Sequence, residues 1–372
     1  MAVQQEELLA LIALRHLPGI GDHLIRQLAQ HCGSAAEVFR LPKSRLLKIP
    51  GIGPKTAETL QGRKPLDFAE RELATATRRG TRIVSFNDPA FPTRLRDIPD
   101  APALIYIEGQ FNPNQERILA IAGTRKATTY GRRIVGEFIR EISPWKPVII
   151  SGLAYGIDVE AHRAALDQQL ATVAVLGSGM DIIYPSAHRN TAMQMLNSGG
   201  LITEQPFGTA PDAHNFPARN RIIAGLCDGL LVVEAAESGG AIITAALANS
   251  YHKDVFAVPG NIGQTYSAGC NKLIRDHQAA LVTCGREIAE QLGWDTARSA
   301  TSAQKTEGEM EGLPEECRKV LACIPSSGTI SLEHLLLLSG MHHGTMASAL
   351  LQLECSNLVE TLPGKLLRAC RK

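Results

Sequence analysis

Four short segments of this chain bring small residues, hydroxyls and cations together at spacings that suit an anion. The first reads Gly123-Thr124-Arg125-Lys126-Ala127-Thr128-Thr129-Tyr130-Gly131 and sets two glycines, three threonines and two cations directly before a helical stretch. N–H donors at a helix start, with an arginine that grips phosphate through paired bonds, would hold an anion; the other reading is a polar loop that caps its own helix. The second, Asn215-Phe216-Pro217-Ala218-Arg219-Asn220-Arg221-Ile222-Ile223, predicts a helix with Asn215 as N-cap and Pro217 in the first turn. Arg219 and Arg221 cannot share one helix face, which divides them between a ligand and a neighbouring strand. The third, Ser238-Gly239-Gly240-Ala241-Ile242-Ile243-Thr244, offers a further close approach for phosphate. The fourth, Ser151-Gly152-Leu153-Ala154-Tyr155-Gly156-Ile157-Asp158, runs into a helix bearing Glu160 and His162. Asp158 and His162, at helical spacing, allow an acid–base or metal pair, but capping and local hydrogen bonding by Asp158 is the expected role.

Gly177-Ser178-Gly179-Met180-Asp181 begins like a dinucleotide fingerprint, yet Ile182 stands where the third glycine would be. No Gly-x-x-x-x-Gly-Lys-[Ser/Thr], Gly-x-Ser-x-Gly or His-Glu-x-x-His occurs, and no nucleophile has an evident base. A binding protein is expected rather than an enzyme, with no cofactor and no metal.

The elements that must position these loops are legible as alternation. Apolar runs at Ile118–Ala122, Val148–Ile150, Thr172–Leu176, Leu201–Thr203, Leu230–Glu234, Val255–Val258 and Leu281–Thr283 alternate with helical segments. That pattern predicts βαβ units and a parallel, doubly wound sheet over 65–292, with Thr81–Phe86 and Ala103–Glu108 as added edge strands or a covering segment. In such a sheet ligands bind outside the carboxyl ends of the strands, where the four loops fall. Before it, residues 1–64 carry two near-copies of one turn, Leu17-Pro18-Gly19-Ile20-Gly21 and Ile49-Pro50-Gly51-Ile52-Gly53. This is the helix-hairpin-helix (SAM-like) signature; such hairpins touch DNA backbone, pack helices or bind protein. Residues 293–313 read as a polar linker. Residues 314–372 read as a winged-helix domain: helices at Pro314–Ile324, Ser331–Ser339 and Thr345–Leu353, then a hairpin about Pro363-Gly364. His342, His343 and Thr345 would open its recognition helix, which is thinly basic, so protein contact stands beside groove binding.

The net charge of +1 gives no overall pull towards nucleic acid, so any anion site must be local. Cysteines at 32, 227, 270, 284, 317, 323, 355 and 370 form no Cys-x-x-Cys pair and read as reduced thiols, several of them buried. No apolar run reaches membrane-span length, and the amino-terminal residues lack a signal-peptide pattern. A cytoplasmic protein is expected.

Taken in order, the loops resemble the DprA (Smf) family of bacterial DNA-processing proteins. The matching words are Gly123-Thr124-Arg125 with Thr129-Tyr130-Gly131, Ser151-Gly152 with Gly156-Ile157-Asp158 and Ala161-His162, and Val175-Leu176-Gly177 with Asp181 and Tyr184-Pro185. Phe216-Pro217 with Arg219-Asn220-Arg221-Ile222-Ile223, Val233-Glu234-Ala235, Thr244-Ala245, and Val258-Pro259-Gly260 with Gly269, Asn271, Leu273 and Ile274 complete the set over 120–285. The resemblance implies an extended Rossmann-like domain with a positive pocket for single-stranded DNA, a homodimer, and loading of the RecA recombinase onto incoming strands during natural transformation. It assigns a phosphate grip to Arg125 and carries the Arg-Asn-Arg helix start over to Arg219, Asn220 and Arg221; Gly123, Thr124, Lys126 and Phe216 complete the expected contact set beside them. Two departures follow. Gly239-Gly240-Ala241-Ile242 replaces a hydroxyl-bearing Ser-Gly-Ser-Leu, so contact at Gly240 must use backbone N–H groups. His252-Lys253 replaces a Gly-Arg pair, leaving Lys253 as that position's cation.

Two competing readings remain. One is a nucleotide phosphoribohydrolase on a related Rossmann scaffold, whose Pro-Gly-Gly-x-Gly-Thr-x-x-Glu loop lacks its Glu here. The other is a duplex-DNA adaptor that uses the terminal domains.

Overall fold

The computed structural model describes residues 2–294, 314–324, 330–355, 359–362 and 366–369. The linker expected at 293–313 lies, beyond Trp294, outside the described residues, as does the Pro363-Gly364 turn. The chain forms two compact units, Met1–Leu292 and Gly293–Lys372.

The first unit opens with helices α1 (Ala2–His16), α2 (Asp22–Cys32), α3 (Ala35–Arg40), α4 (Lys43–Leu46), α5 (Pro54–Gln61) and α6 (Lys64–Arg79). Both glycine turns are present, each leading into a helix, α2 or α5, and their isoleucines Ile20 and Ile52 are buried. The division expected at 64/65 is not a break in packing. His16 stacks on Phe68 of α6 at 3.6 Å, and the helical core of Leu14, Ile25 and Leu28 continues into Ala103 and Leu104 beside the sheet.

The strands are β1 (Arg82–Ser85), β2 (Leu104–Gly109), β3 (Ile118–Gly123), β4 (Val148–Ser151), β5 (Thr172–Val175), β6 (Gly200–Thr203), β7 (Gly229–Val233), β8 (Asp254–Ala257) and β9 (Ala280–Leu281). They form one nine-stranded sheet in the order β1-β2-β6-β5-β4-β3-β7-β8-β9. From β3 to β9 every pairing is parallel, while β1 and β2 add antiparallel at one edge, as expected. Every residue of β4, β5, β6 and β7 is buried. Their uninterrupted apolar runs therefore mark strands covered on both faces rather than on one.

Helices α7 (Thr93–Arg96), α11 (Asn215–Leu226), α12 (Gly240–Ser250) and α13 (Thr265–Arg275) cover one face through Leu95, Ile222, Ala245 and Leu273. Helices α8 (Thr129–Ile142), α9 (Ile157–Asp167), α10 (Arg189–Met195) and α14 (Gly285–Gln291) complete the unit, with α8 packed on both α9 and α14. The chain runs β3 to β6 in one direction and β7 to β9 in the other. The order thus reverses between β3 and β7, and the crevice outside their carboxyl ends is where such sheets bind ligands.

The second unit contains α15 (Glu315–Cys323), β10 (Ile330–Ser331), α16 (Leu332–Ser339), α17 (His343–Cys355), β11 (Val359–Leu362) and β12 (Leu366–Ala369). Val320, Leu335, Met346 and Leu353 form its core. The three helices and hairpin read from the sequence are present, and β10 adds a third strand against β12. Among the described residues no helix is long and apolar enough to cross a membrane.

Candidate nucleic-acid interface

A groove of about 750 Å³ lies at the β3–β7 crevice, and the first, second and third of the sequence's loops all line it. Gly123 makes the crevice possible. A Cβ there would stand 2.1 Å from the Val233 carbonyl oxygen and 2.5 Å from Ile157 Cγ1, so only glycine lets β3, β7 and α9 close together. The next residue is clamped: Thr124 N donates to the Glu234 carbonyl at 2.6 Å, and its own carbonyl accepts from Ile157 N at 3.1 Å. From that anchor Arg125 and Lys126 project as exposed side chains. The Arg125 guanidinium lies 5.6 Å over the Phe216 ring, and among the described residues it makes no ion pair. Phe216 leans on Tyr184 at 5.7 Å, giving the groove an aromatic lip.

The helix starts around the groove divide into filled and open ones. The start of α8, expected to hold phosphate, already holds a carboxylate. Glu234, just past β7, accepts from Thr128 N at 2.9 Å and from the Thr128 hydroxyl, and a Cβ on Gly131 would collide with its Oε2. Nothing in the sequence reading gave Glu234 this role; its signal was its place in the family word Val233-Glu234-Ala235. The start of α12 is open. Gly239, at φ 140°, adopts a conformation restricted to glycine, no side chain caps the helix, and the N–H groups of Gly240, Ala241 and Ile242 have no intrahelical acceptor. The Asn220 amide donates to the Gly240 carbonyl at 3.3 Å and Thr244 Oγ1 donates to it at 2.8 Å, which fixes that turn.

The Arg-Asn-Arg segment is not a pair of free grips. Helix α11 begins at Asn215 with His214 as its cap residue, so Asn215 is inside the helix rather than its N-cap. Arg219 is buried and donates to the carbonyls of Gly152, at 2.8 Å, and Val175, which tie together the ends of β4 and β5. Burial lowers it to about 10, opposed by Asp158, so it stays a cation at neutral pH. Asp158 in turn accepts from Gly152 N at 3.2 Å and Ala154 N at 3.4 Å, the local role expected of it. Arg221 leaves the groove altogether: it bonds Asp100 O, Asp22 at 3.1 Å and Glu204, fastening α11 to the start of α2. Lys253 precedes β8, at the amino edge of the sheet, and is not brought together with the others.

Asp158 and His162 form no pair. His162 is fully buried, and its Nδ1–H donates to Thr172 Oγ1 at 2.7 Å, whose hydroxyl proton goes to the Ile149 carbonyl. Burial lowers the imidazole to about 3, which leaves it neutral and remote from acid–base use.

The comparisons with known proteins follow this geometry. Residues 82–293 match the family model of the DNA recombination-mediator protein A, residues 11–61 a SAM-like helix-hairpin-helix tandem, and residues 304–365 the DprA winged helix domain. The chain belongs to the DprA/Smf family. It is 30% identical over 388 residues to the protein Smf of Synechocystis, covering 95% of this chain and 96% of that one. It is 36% identical over 276 residues to the DNA processing protein DprA of Streptococcus pneumoniae, covering 69% of this chain and 97% of that one. The solved structure of the S. pneumoniae protein superposes with a TM-score of 0.64 at 30% identity, over 77% of this chain and 96% of that one. DNA processing protein A of Helicobacter pylori, whose structure describes a single-stranded DNA binding mode, superposes at 0.53 with 26% identity, over 58% and 96%.

The two kinds of arginine predict opposite phenotypes. Arg219→Met strands two carbonyls and the Asp158 carboxylate and should cost about 3–5 kcal/mol in urea unfolding, the range for breaking a buried pair. Arg125→Ala should change stability by less than about 1 kcal/mol. Equal stabilities for the two variants would contradict the placement of Arg219 as a structural cation.

Proposed function

We propose that this protein binds single-stranded DNA without sequence preference, with the backbone phosphates running between Arg125–Lys126 and the start of α12. The observation that carries the reading is the pairing, across one crevice, of exposed cations with an uncapped helix start, above a floor charged by Arg219. Cations and backbone N–H groups touch phosphate rather than base edges, so they hold a strand whatever its sequence. The H. pylori relative's single-stranded DNA binding supports the same ligand. Gly123, Thr124 and Asn220 shape the groove, and Gly240 offers its N–H. Arg221 and Lys253 lie outside this contact set.

The groove acts by holding rather than by bond cleavage: the Asp158 carboxylate accepts from backbone N–H groups within the charge field of Arg219, and His162 faces Thr172. We place the protein in the cytoplasm as a homodimer that passes its strand to the RecA recombinase in natural transformation, a role that rests on the family resemblance. Arg125→Ala should weaken binding to oligo-dT by about 1–3 kcal/mol. It should also flatten the salt dependence by about 0.7 in log–log slope, one phosphate's share. Unchanged affinity in fluorescence anisotropy would remove the groove from the reading.

A second contact, to duplex backbone, is favoured by the asymmetry of the two hairpins. The first turn is committed to the sheet, since Asp22 accepts from Ala103 N at 2.9 Å and pairs with Arg15 and Arg221. Around the second, Lys43, Arg45, Lys48, Lys55, Arg63 and Lys64 are exposed. Charge reversal at Lys48 and Lys55 should lower duplex affinity and leave oligo-dT affinity in place; loss of both together, or of neither, would refute a separate duplex contact.

A further inference from the structure

A second cavity, of about 740 Å³, lies where α1 and α6 meet the β1 edge of the sheet. Four strands separate that edge from β3 and the groove. Leu8 and Leu9 of α1, Leu73 of α6 and Ile83 of β1 are half-buried there and give the cavity an apolar floor. Glu7, Glu70 and Asp88 also line it, and no lysine or arginine does. Glu7 is committed to the start of α3, accepting from Ala35 N at 2.8 Å and Ala36 N at 3.0 Å. Asp88 Oδ1 accepts from Ala90 N at 2.8 Å, which leaves its second oxygen open. Glu70 is exposed and makes no ion pair among the described residues. The chain doubles back at Gly80 between α6 and β1, so Glu70 and Asp88 both lie away from that turn, at one acidic end.

The wall of this cavity is also an open strand edge. β1 is the outermost strand and, among the described residues, pairs with β2 alone. Phe86 N donates at 3.0 Å to the carbonyl of Ala103, which stands opposite it in the register. Alternation along an antiparallel ladder then turns the backbone of Arg82 and Val84 towards β2 and that of Ile83 and Ser85 outwards. The Ser85 carbonyl accepts from Asp88 N at 2.9 Å. The outward groups left open are therefore the Ile83 N–H, the Ile83 carbonyl and the Ser85 N–H. The side chains of these same two residues line the cavity. A strand laid along β1 would bond all three groups and set every second side chain over Leu8, Leu9 and Leu73.

We propose that this edge receives an extended segment of a partner protein, with aliphatic side chains for the floor and a lysine or arginine for Glu70 and Asp88. Charge decides the class of occupant. A lining with carboxylates and no cation disfavours nucleic acid, and a second copy of this chain would bring the same carboxylates to meet them. A basic, aliphatic strand satisfies the floor, the open backbone groups and the acidic end together. Because it docks four strands away from β3, it leaves the groove open, and the chain can hold DNA and this partner at once.

The test is fluorescence anisotropy of a labelled peptide, Lys-Thr-Leu-Thr-Leu-Thr-Lys, with the full chain. Its pattern reads the same in both directions, so one lysine reaches the acidic end whichever way the strand runs. Saturable binding is expected. Glu70→Lys should weaken it about fivefold, the worth of one exposed ion pair. Ser85→Pro should weaken it about tenfold, because it removes an outward N–H and leaves the β1–β2 ladder whole. A peptide N-methylated along its backbone tests strand addition without altering the protein and should not bind; nor should one with glutamates in place of lysines. Oligo-dT affinity should stay within about twofold in Glu70→Lys, as for distant sites. Absence of saturable binding, binding that survives N-methylation, or equal affinity for the glutamate peptide would each overturn the proposal. Self-association of the wild type that the peptide competes away would assign the edge to a second copy and overturn it as well.

Discussion

A guanidinium can be buried only where carbonyls and a carboxylate surround it, and Arg219 has both. Its donors reach Gly152, just past β4, and Val175 at the end of β5, its counter-charge is Asp158, and its own helix is α11. Four elements therefore meet at one cation, on the edge of the sheet where the strand order reverses. With that edge held, the neighbouring loops need no flexibility of their own. Thr124 is clamped between β7 and α9, Asn220 positions the first turn of α12, and Arg125 and Lys126 extend into solvent.

The proposed phosphate contact turns on how helix ends are used. A helix start attracts anions, and a protein that exposed every one would hold phosphate indiscriminately. Here α8 is neutralised from within by Glu234 and α12 is left uncapped. The result is a groove lined by Arg125, Lys126 and Arg219, with the Glu234 carboxylate held at the neighbouring helix start. A chain with a net charge of only +1 thus reaches a locally cationic interface by distribution rather than by excess.

Much of the fold was legible because parallel strands buried on both faces are written as unbroken apolar runs. Each of the nine predicted runs meets a strand, with ends shifted by a residue or two. The loops were equally legible, since Gly123 and Gly239 stand at turns where a side chain would collide or strain. Individual partners were harder to read. Arg219 and Arg221 looked alike in sequence, yet one meets carbonyls far along the chain and the other meets Asp22, Asp100 and Glu204. Lys253 reads in sequence as the cation standing in for a family Gly-Arg pair; the direction of β8 places it at the opposite edge. In each case the deciding contact lies far away in sequence.

The central claim is that the crevice between β3 and β7 holds the sugar–phosphate backbone. A crystal structure of the full chain with oligo-dT tests it most directly. The account predicts a phosphate within hydrogen-bond reach of the Gly240–Ile242 N–H groups, with the Arg125 guanidinium turned from Phe216 to the same strand. A strand bound along the second hairpin or the second unit, with this crevice holding no phosphate, would contradict it.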